Sequence, residues 1–148
     1  MEEKVVGLMY YVDRQQIEDR IRCISYIVEA SERLCQTWDA SDPLHVLAQE
    51  RALHLAIEVI TDVGSLIIDG FLMRDASSYE DIITVLIVEK VFSTELEIPL
   101  IQLVKLRKPL VQDYMHLDRL QLHPITMLLP SLLRSWGASV ILFMNQEI

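Results

Sequence analysis

Lys105, Arg107 and Lys108 fall within four positions, and nowhere else in the 148-residue sequence are three basic residues so close. The formal net charge is -9, so the chain as a whole repels phosphates and is a poor non-specific nucleic-acid binder. Any RNA-binding surface must therefore be a local basic patch, and this segment is the densest one. Arg107 also interrupts an apolar row at helical 3-4 spacing: Leu100, Leu103, Arg107, Leu110, Tyr114, Leu117. Burying an unpaired charge is costly. Arg107 then pairs with a carboxylate across the seam, faces a wet cleft, or snorkels to the surface. Pro109 removes a helical donor from the carbonyl of Lys105 and disfavours helical geometry at Lys108. The pattern predicts a helix kinked beside a guanidinium.

The elements that must position this segment read as helices. Four Gly and five Pro are too few for a turn-rich β fold, and apolar residues recur at helical period. The expected fold is all-α, a bundle of about five helices. Residues 1–8 read as an unanchored lead-in and residues 9–148 as one domain. The first helix is expected from about Asp13 to Trp38, with a seam of Ile17, Ile21, Ile24, Val28, Ser31, Cys35 and Trp38. Asp42 as N-cap and Pro43 at the first position open a second helix to about Gly70. One of its seams is Leu53, Ile57, Ile60, Gly64, Ile67, and a second row begins at Leu44. Helices apolar on this much of their circumference lie centrally, and Gly64 admits a close neighbour. Ser77 with Glu80 and Thr94 with Glu97 read as capping boxes for a third helix to about Lys90 and a fourth to about Leu117. Asp118 is expected to cap a fifth, bent or interrupted at Pro124 and Pro130 and broken again at Gly137.

Other constellations are weaker. Arg51, Glu58, Asp62, Ser65 and Asp69 line one face of the second helix, a solvated stripe from which Glu58 or Asp62 could pair with Arg107. No Glu-x-x-His occurs, so a di-iron bundle is excluded and no metal or cofactor is expected. Gly-rich phosphate loops and Cys-x-x-Cys or Gly-x-Ser-x-Gly elements are absent from the sequence. His45, His54 and His123 have no partner at a recognisable spacing. Cys23 and Cys35, placed on one helix, lie too far apart to bridge, and free thiols suit a reducing cytoplasm. The start Met1-Glu2-Glu3-Lys4 lacks a secretory charge pattern. The uncharged run Leu120 to Leu133 is short for a membrane span.

The segment Arg107-Lys108-Pro109-Leu110-Val111-Gln112-Asp113-Tyr114, followed by Leu117-Asp118, resembles the signature Arg-x4-His-x-Tyr-x-x-Ile/Leu-Asp of the HepT-like family, a branch of the HEPN superfamily. Met9 to Arg14, Glu50-Arg51-Ala52, Ile57-Glu58 and Asp62-Val63-Gly64 resemble the family too. Asp69 to Asp75 and Ser78 to Ile82 resemble its YutE-like branch. The resemblance implies a HEPN-like homodimer and a metal-independent endoribonuclease toxin. The two Arg/His motifs would face each other across the dimer cleft. It also implies an MntA-like nucleotidyltransferase antitoxin that attaches AMP to the motif tyrosine, here Tyr114. On this basis Arg107, Gln112 and Tyr114 are the expected catalytic positions, and Lys105, Arg107 and Lys108 the RNA contacts. The sequence departs from the signature at Gln112, where the family has His. An amide can hydrogen-bond a phosphate but does not transfer protons as an imidazole does. Cleavage is then weakened, or the dimer binds RNA, nucleotide or partner without turnover. His116, one turn on, could substitute if the helix continues.

Overall fold

The computed structural model describes residues 4–6, 8–10 and 12–147. Of the lead-in expected over residues 1–8, residues 1–3 and 7 lie outside the described residues. Two short strands, β1 (Lys4–Val6) and β2 (Leu8–Tyr10), pair antiparallel with Val5 opposite Met9. The described residues after them are helical or loop: α1 (Arg14–Ile21), α2 (Ile24–Thr37), α3 (Pro43–Gly70), α4 (Tyr79–Val88), α5 (Glu97–Lys105), α6 (Arg107–Val111) and α7 (Pro124–Glu147). With α1/α2 and α5/α6 each taken as one broken helix, the described residues form five helical units.

α3 is the central helix. Asp42 caps it by accepting from the Leu44 N–H, with Pro43 at its first position, as the sequence predicts. Its expected seam of Leu53, Ile57, Ile60, Gly64 and Ile67 is buried. Gly64 is required by packing: a Cβ there would meet Ile82 Cγ2 of α4 at 2.5 Å. Leu44, expected in the second apolar row, is exposed instead. One continuous hydrophobic core runs from Val12 to Met144 and is closed by α7, whose Leu129, Leu133, Trp136 and Val140 are fully buried.

Several expected elements differ. The first helix is broken at Arg22–Cys23, where the Cys23 N–H bonds back three residues to Arg20, a tightening of the kind found at helix ends. Its seam therefore rotates. Ile27 and Leu34 are buried, whereas Cys35 is exposed and Trp38 only half-buried. α4 is capped by Ser78 with the Asp81 N–H rather than by Ser77 with Glu80. Ser93 caps a 3₁₀ turn (Thr94–Leu96) that leads into α5. Asp118 accepts from the Leu120 N–H in a loop. Pro124 is the first residue of α7 and does not interrupt it, because a first-turn proline lacks only a donor the helix leaves free. Gly137 does not break α7 either. It lies against Ile24, whose Cδ1 would be 3.1 Å from an added Cβ. α7 is thus one 24-residue helix, long and apolar enough by length and composition to cross a membrane. It carries Arg134, paired with Glu32 of α2, and packs along α2 and α3.

Candidate active site

The kink expected beside Arg107 is present. The Leu106 N–H reaches back three residues to the Leu103 carbonyl, and Pro109 sits in the first turn of α6, where its missing donor costs least. The break turns Arg107 toward α3. Its Nε lies 3.5 Å from Glu58 Oε1, one of the two carboxylates the sequence offers as partner. Its Cζ stands 4.2 Å from the ring centroid of Tyr79, the first residue of α4, a cation–π contact. Nε is buried without a hydrogen-bond partner among the described residues, while the side chain as a whole is 27% exposed. Arg107 is therefore oriented by a charge and a ring, yet its terminal nitrogens remain uncommitted there.

Glu58 has a second neighbour. His54 Nε2 lies 3.1 Å from the same Oε1, and Arg51 Nη1 lies 3.5 Å from His54 Nδ1. Arg51, His54 and Glu58 are spaced i, i+3, i+7 and so share one face of α3. The expectation that His54 lacks a partner is corrected, since an i, i+4 pair meets on a helix surface. His45 has partners too, accepting from the Asp39 N–H and lying 3.6 Å from Asp42. His123 accepts from the Ile125 N–H, and partial burial lowers its pKa below the ordinary histidine value. Asp62, the other candidate partner for Arg107, instead meets Arg20 at 3.5 Å.

The remaining expected site residues are scattered around Arg107 on an open surface. Lys105, Lys108, Gln112, Tyr114 and His116 are all exposed. The fourth helix does not continue to Leu117. α6 ends at Val111, and Tyr114–His116 forms a separate 3₁₀ turn, so the helical continuity that would bring His116 onto the face of Gln112 is absent. Among the described residues, no group of three or more His, Cys, Asp or Glu side chains is placed to hold a metal ion.

A fastening that sequence reasoning missed holds the loop between α6 and α7. Arg119 Nε and Nη2 donate to the two oxygens of Glu50 at 2.8 and 3.2 Å, and Nη2 also donates to the Tyr114 carbonyl at 2.7 Å. The buried Gln49 beside it donates to the Gln121 carbonyl and accepts from the His123 N–H and the Thr126 hydroxyl. No spacing in the sequence announces these pairs. Only the His54-x3-Glu58 interval was there to be read.

A helical bundle whose kinked penultimate unit lays an arginine on the central helix is the class these observations define, and the chain belongs to the HepT-like ribonuclease family. The family model described as "Ribonuclease HepT-like" matches residues 17–128. Among its relatives is the Bacillus subtilis (strain 168) protein described as "Putative RNase YutE", 39% identical over 115 residues and covering 78% of each chain. The solved structure of YutE from Bacillus subtilis, described as a cytosolic protein of unknown function, is similar at a TM-score of 0.86. It is 32% identical in sequence, with 95% of this chain and 96% of that one covered.

Proposed function

We propose that this chain is the ribonuclease toxin of a toxin–antitoxin pair, cleaving RNA in the cytoplasm without a metal ion. The observation that carries this reading is Arg107, held by Glu58 and Tyr79 with its terminal nitrogens uncommitted among the described residues. Preorganised cations aimed at a phosphate stabilise the charge that develops during transfer. Lys105 and Lys108 flank it as exposed phosphate contacts on an acidic chain. Gln112 sits where the family signature has His and can hold a phosphate oxygen without moving a proton. The exposed phenol of Tyr114 is open to modification by an MntA-like nucleotidyltransferase, which would silence the site. The working unit is a homodimer that brings two such segments together. The description of YutE as cytosolic supports the location.

The test is expression of the chain alone. Growth should arrest, Arg107→Ala should relieve the arrest, and a co-expressed nucleotidyltransferase partner should do the same while adding AMP to Tyr114. Light scattering should give twice the 17.1 kDa chain mass. Gln112 also favours a second reading, in which the dimer binds RNA, nucleotide or partner without turnover. RNA retention with no cleavage, by native chain and Gln112→His alike, would select it.

A further inference from the structure

We infer that His54 is the proton-accepting residue of this site, occupying from the central helix the role that Gln112 leaves empty. The inference rests on the ribonuclease reading above. The four histidines are distinguished by what their ring nitrogens already touch. The Nδ1 acceptors of His45 and His123 are occupied by backbone N–H groups of Asp39 and Ile125, at 3.1 and 3.0 Å. His116 lies exposed in the 3₁₀ turn beyond α6, with no side chain orienting it among the described residues. His54 alone is aligned by a carboxylate and keeps an acceptor clear of the backbone. With its proton on Nε2, the ring donates to Glu58 Oε1 at 3.1 Å and directs the Nδ1 lone pair away from Glu58. A carboxylate fixing the tautomer and orientation of an imidazole is what a general base requires.

Glu58 also sets the distance to the charge-stabilising group. The same oxygen contacts Arg107 Nε at 3.5 Å, so imidazole and guanidinium are no further apart than the sum of those two contacts. A bound RNA linkage would set its phosphate oxygen on a terminal nitrogen of Arg107 and bring the adjoining 2′-hydroxyl to Nδ1. Arg51 faces Nδ1 from the same helix at 3.5 Å, a long contact from an exposed side chain that an arriving hydroxyl displaces. Both side chains remain partly accessible, His54 at 31% and Arg107 at 27% exposure.

The step balances without a cofactor. The 2′-oxygen attacks phosphorus, the new 2′-O–P bond forms as the P–O5′ bond breaks, and the 2′-hydroxyl proton passes to Nδ1. The departing 5′-oxygen takes a proton from water, and the hydroxide left behind recovers the proton from His54. The products are a 2′,3′-cyclic phosphate and a 5′-hydroxyl.

The experiment uses the full chain and total bacterial RNA, with cyclic-phosphate ends as readout. His54→Gln, which can still donate to Glu58, should lose about 10²- to 10⁴-fold in rate with an unchanged thermal midpoint, while His45→Gln keeps the native rate. Added imidazole should restore part of the activity of His54→Ala and none to Arg107→Ala, a rescue that a merely structural histidine would not show. A native chain that cleaves RNA with His54→Gln at the same rate overturns the inference and leaves the ribonuclease reading intact. Cleavage by Gln112→His alone, the native chain being inert, also overturns it and preserves the scaffold. Inertness of both removes the inference and the ribonuclease reading together.

Discussion

Arg107 and Arg119 both land on glutamates of α3, two helical turns apart, and they are bound in opposite ways. Arg119 spends its donors. Nε and Nη2 grip both oxygens of Glu50, and Nη2 takes the Tyr114 carbonyl as well. Such a planar, bidentate fork is geometrically specific and closed. Arg107 meets Glu58 Oε1 through Nε at 3.5 Å, that Nε has no hydrogen-bond partner among the described residues, and its Cζ stands over the Tyr79 ring. Glu58 is moreover shared with His54. The same pair of residue types thus serves once as a fastener and once as a loosely held charge. An arginine kept in place without its terminal donors being consumed is available to a ligand.

The largest expected effect tests the open member. Arg107→Ala should lower kcat for RNA cleavage by about 10²- to 10³-fold and change stability by less than about 1 kcal/mol, as partly exposed single ion pairs do. Arg107→Lys should recover only part of the rate, since a point charge lacks the guanidinium fork. If Arg107→Ala instead unfolds the chain and spares the rate of the folded fraction, the two arginines are alike and the contrast is broken. For the closed member the ranking reverses. Arg119→Ala should cost about 1–2 kcal/mol in urea unfolding and expose the loop after Val111 to proteases, with a smaller fall in rate. Next in size is the basic flank. Neutralising Lys105 and Lys108 together should flatten the salt dependence of RNA binding by roughly 0.7 log units per lysine, leaving the cleavage rate at saturation near native. An unchanged slope would put the RNA on another face.

The open member was legible in the sequence, and the closed one was not. A charge set in an apolar helical row beside a proline demands a partner and a kink, and both are present at Leu106 and Glu58. The choice of Glu58 over Asp62 depends on how α6 and α1 cross α3, which local pattern does not encode. The end of α6 at Val111 was missed for the same reason. The row continues through Tyr114 and Leu117, but the backbone there is drawn off by Arg119 on Glu50 and by Gln49 on the far side of the loop. Capping was read to within one residue at Ser78, because Ser77-Ser78-Tyr79-Glu80-Asp81 offers two frames and Arg74 selects the second by gripping Asp81. Gly137 misled because small residues mark both helix breaks and close helix contacts, and only the position of α2 tells which.

Arg74 and Asp81 supply a third pair, its arginine the most exposed of the three, and with it the smallest effect. It is closed, like Arg119 with Glu50: Nη1 and Nη2 reach the two oxygens of Asp81 at 2.7 and 2.9 Å, and the Ser77 N–H donates to Oδ2. The Arg74 guanidinium, then the Ser77 N–H, hold the Asp81 carboxyl well below the usual carboxylate range. A carboxyl depressed in the folded state stabilises the fold at pH values above its unfolded pKa, near 3.8, and that contribution is lost as pH falls through the folded value. Asp81→Asn should therefore lower the unfolding midpoint slightly at neutral pH. The gap from the native chain should narrow progressively below about pH 4, as native Asp81 becomes protonated. Unfolding midpoints across that range measure the narrowing, and a gap constant with pH would mean that the carboxylate charge contributes nothing. Asp81 also lies in the first turn of α4, two residues from the Tyr79 ring under Arg107. If closed pairs only fasten, the variant keeps the native rate of RNA cleavage at neutral pH. A loss approaching that of Arg107→Ala would show that the pair at the start of α4 governs the seat of the open arginine, and the division between fastening and chemistry would no longer hold.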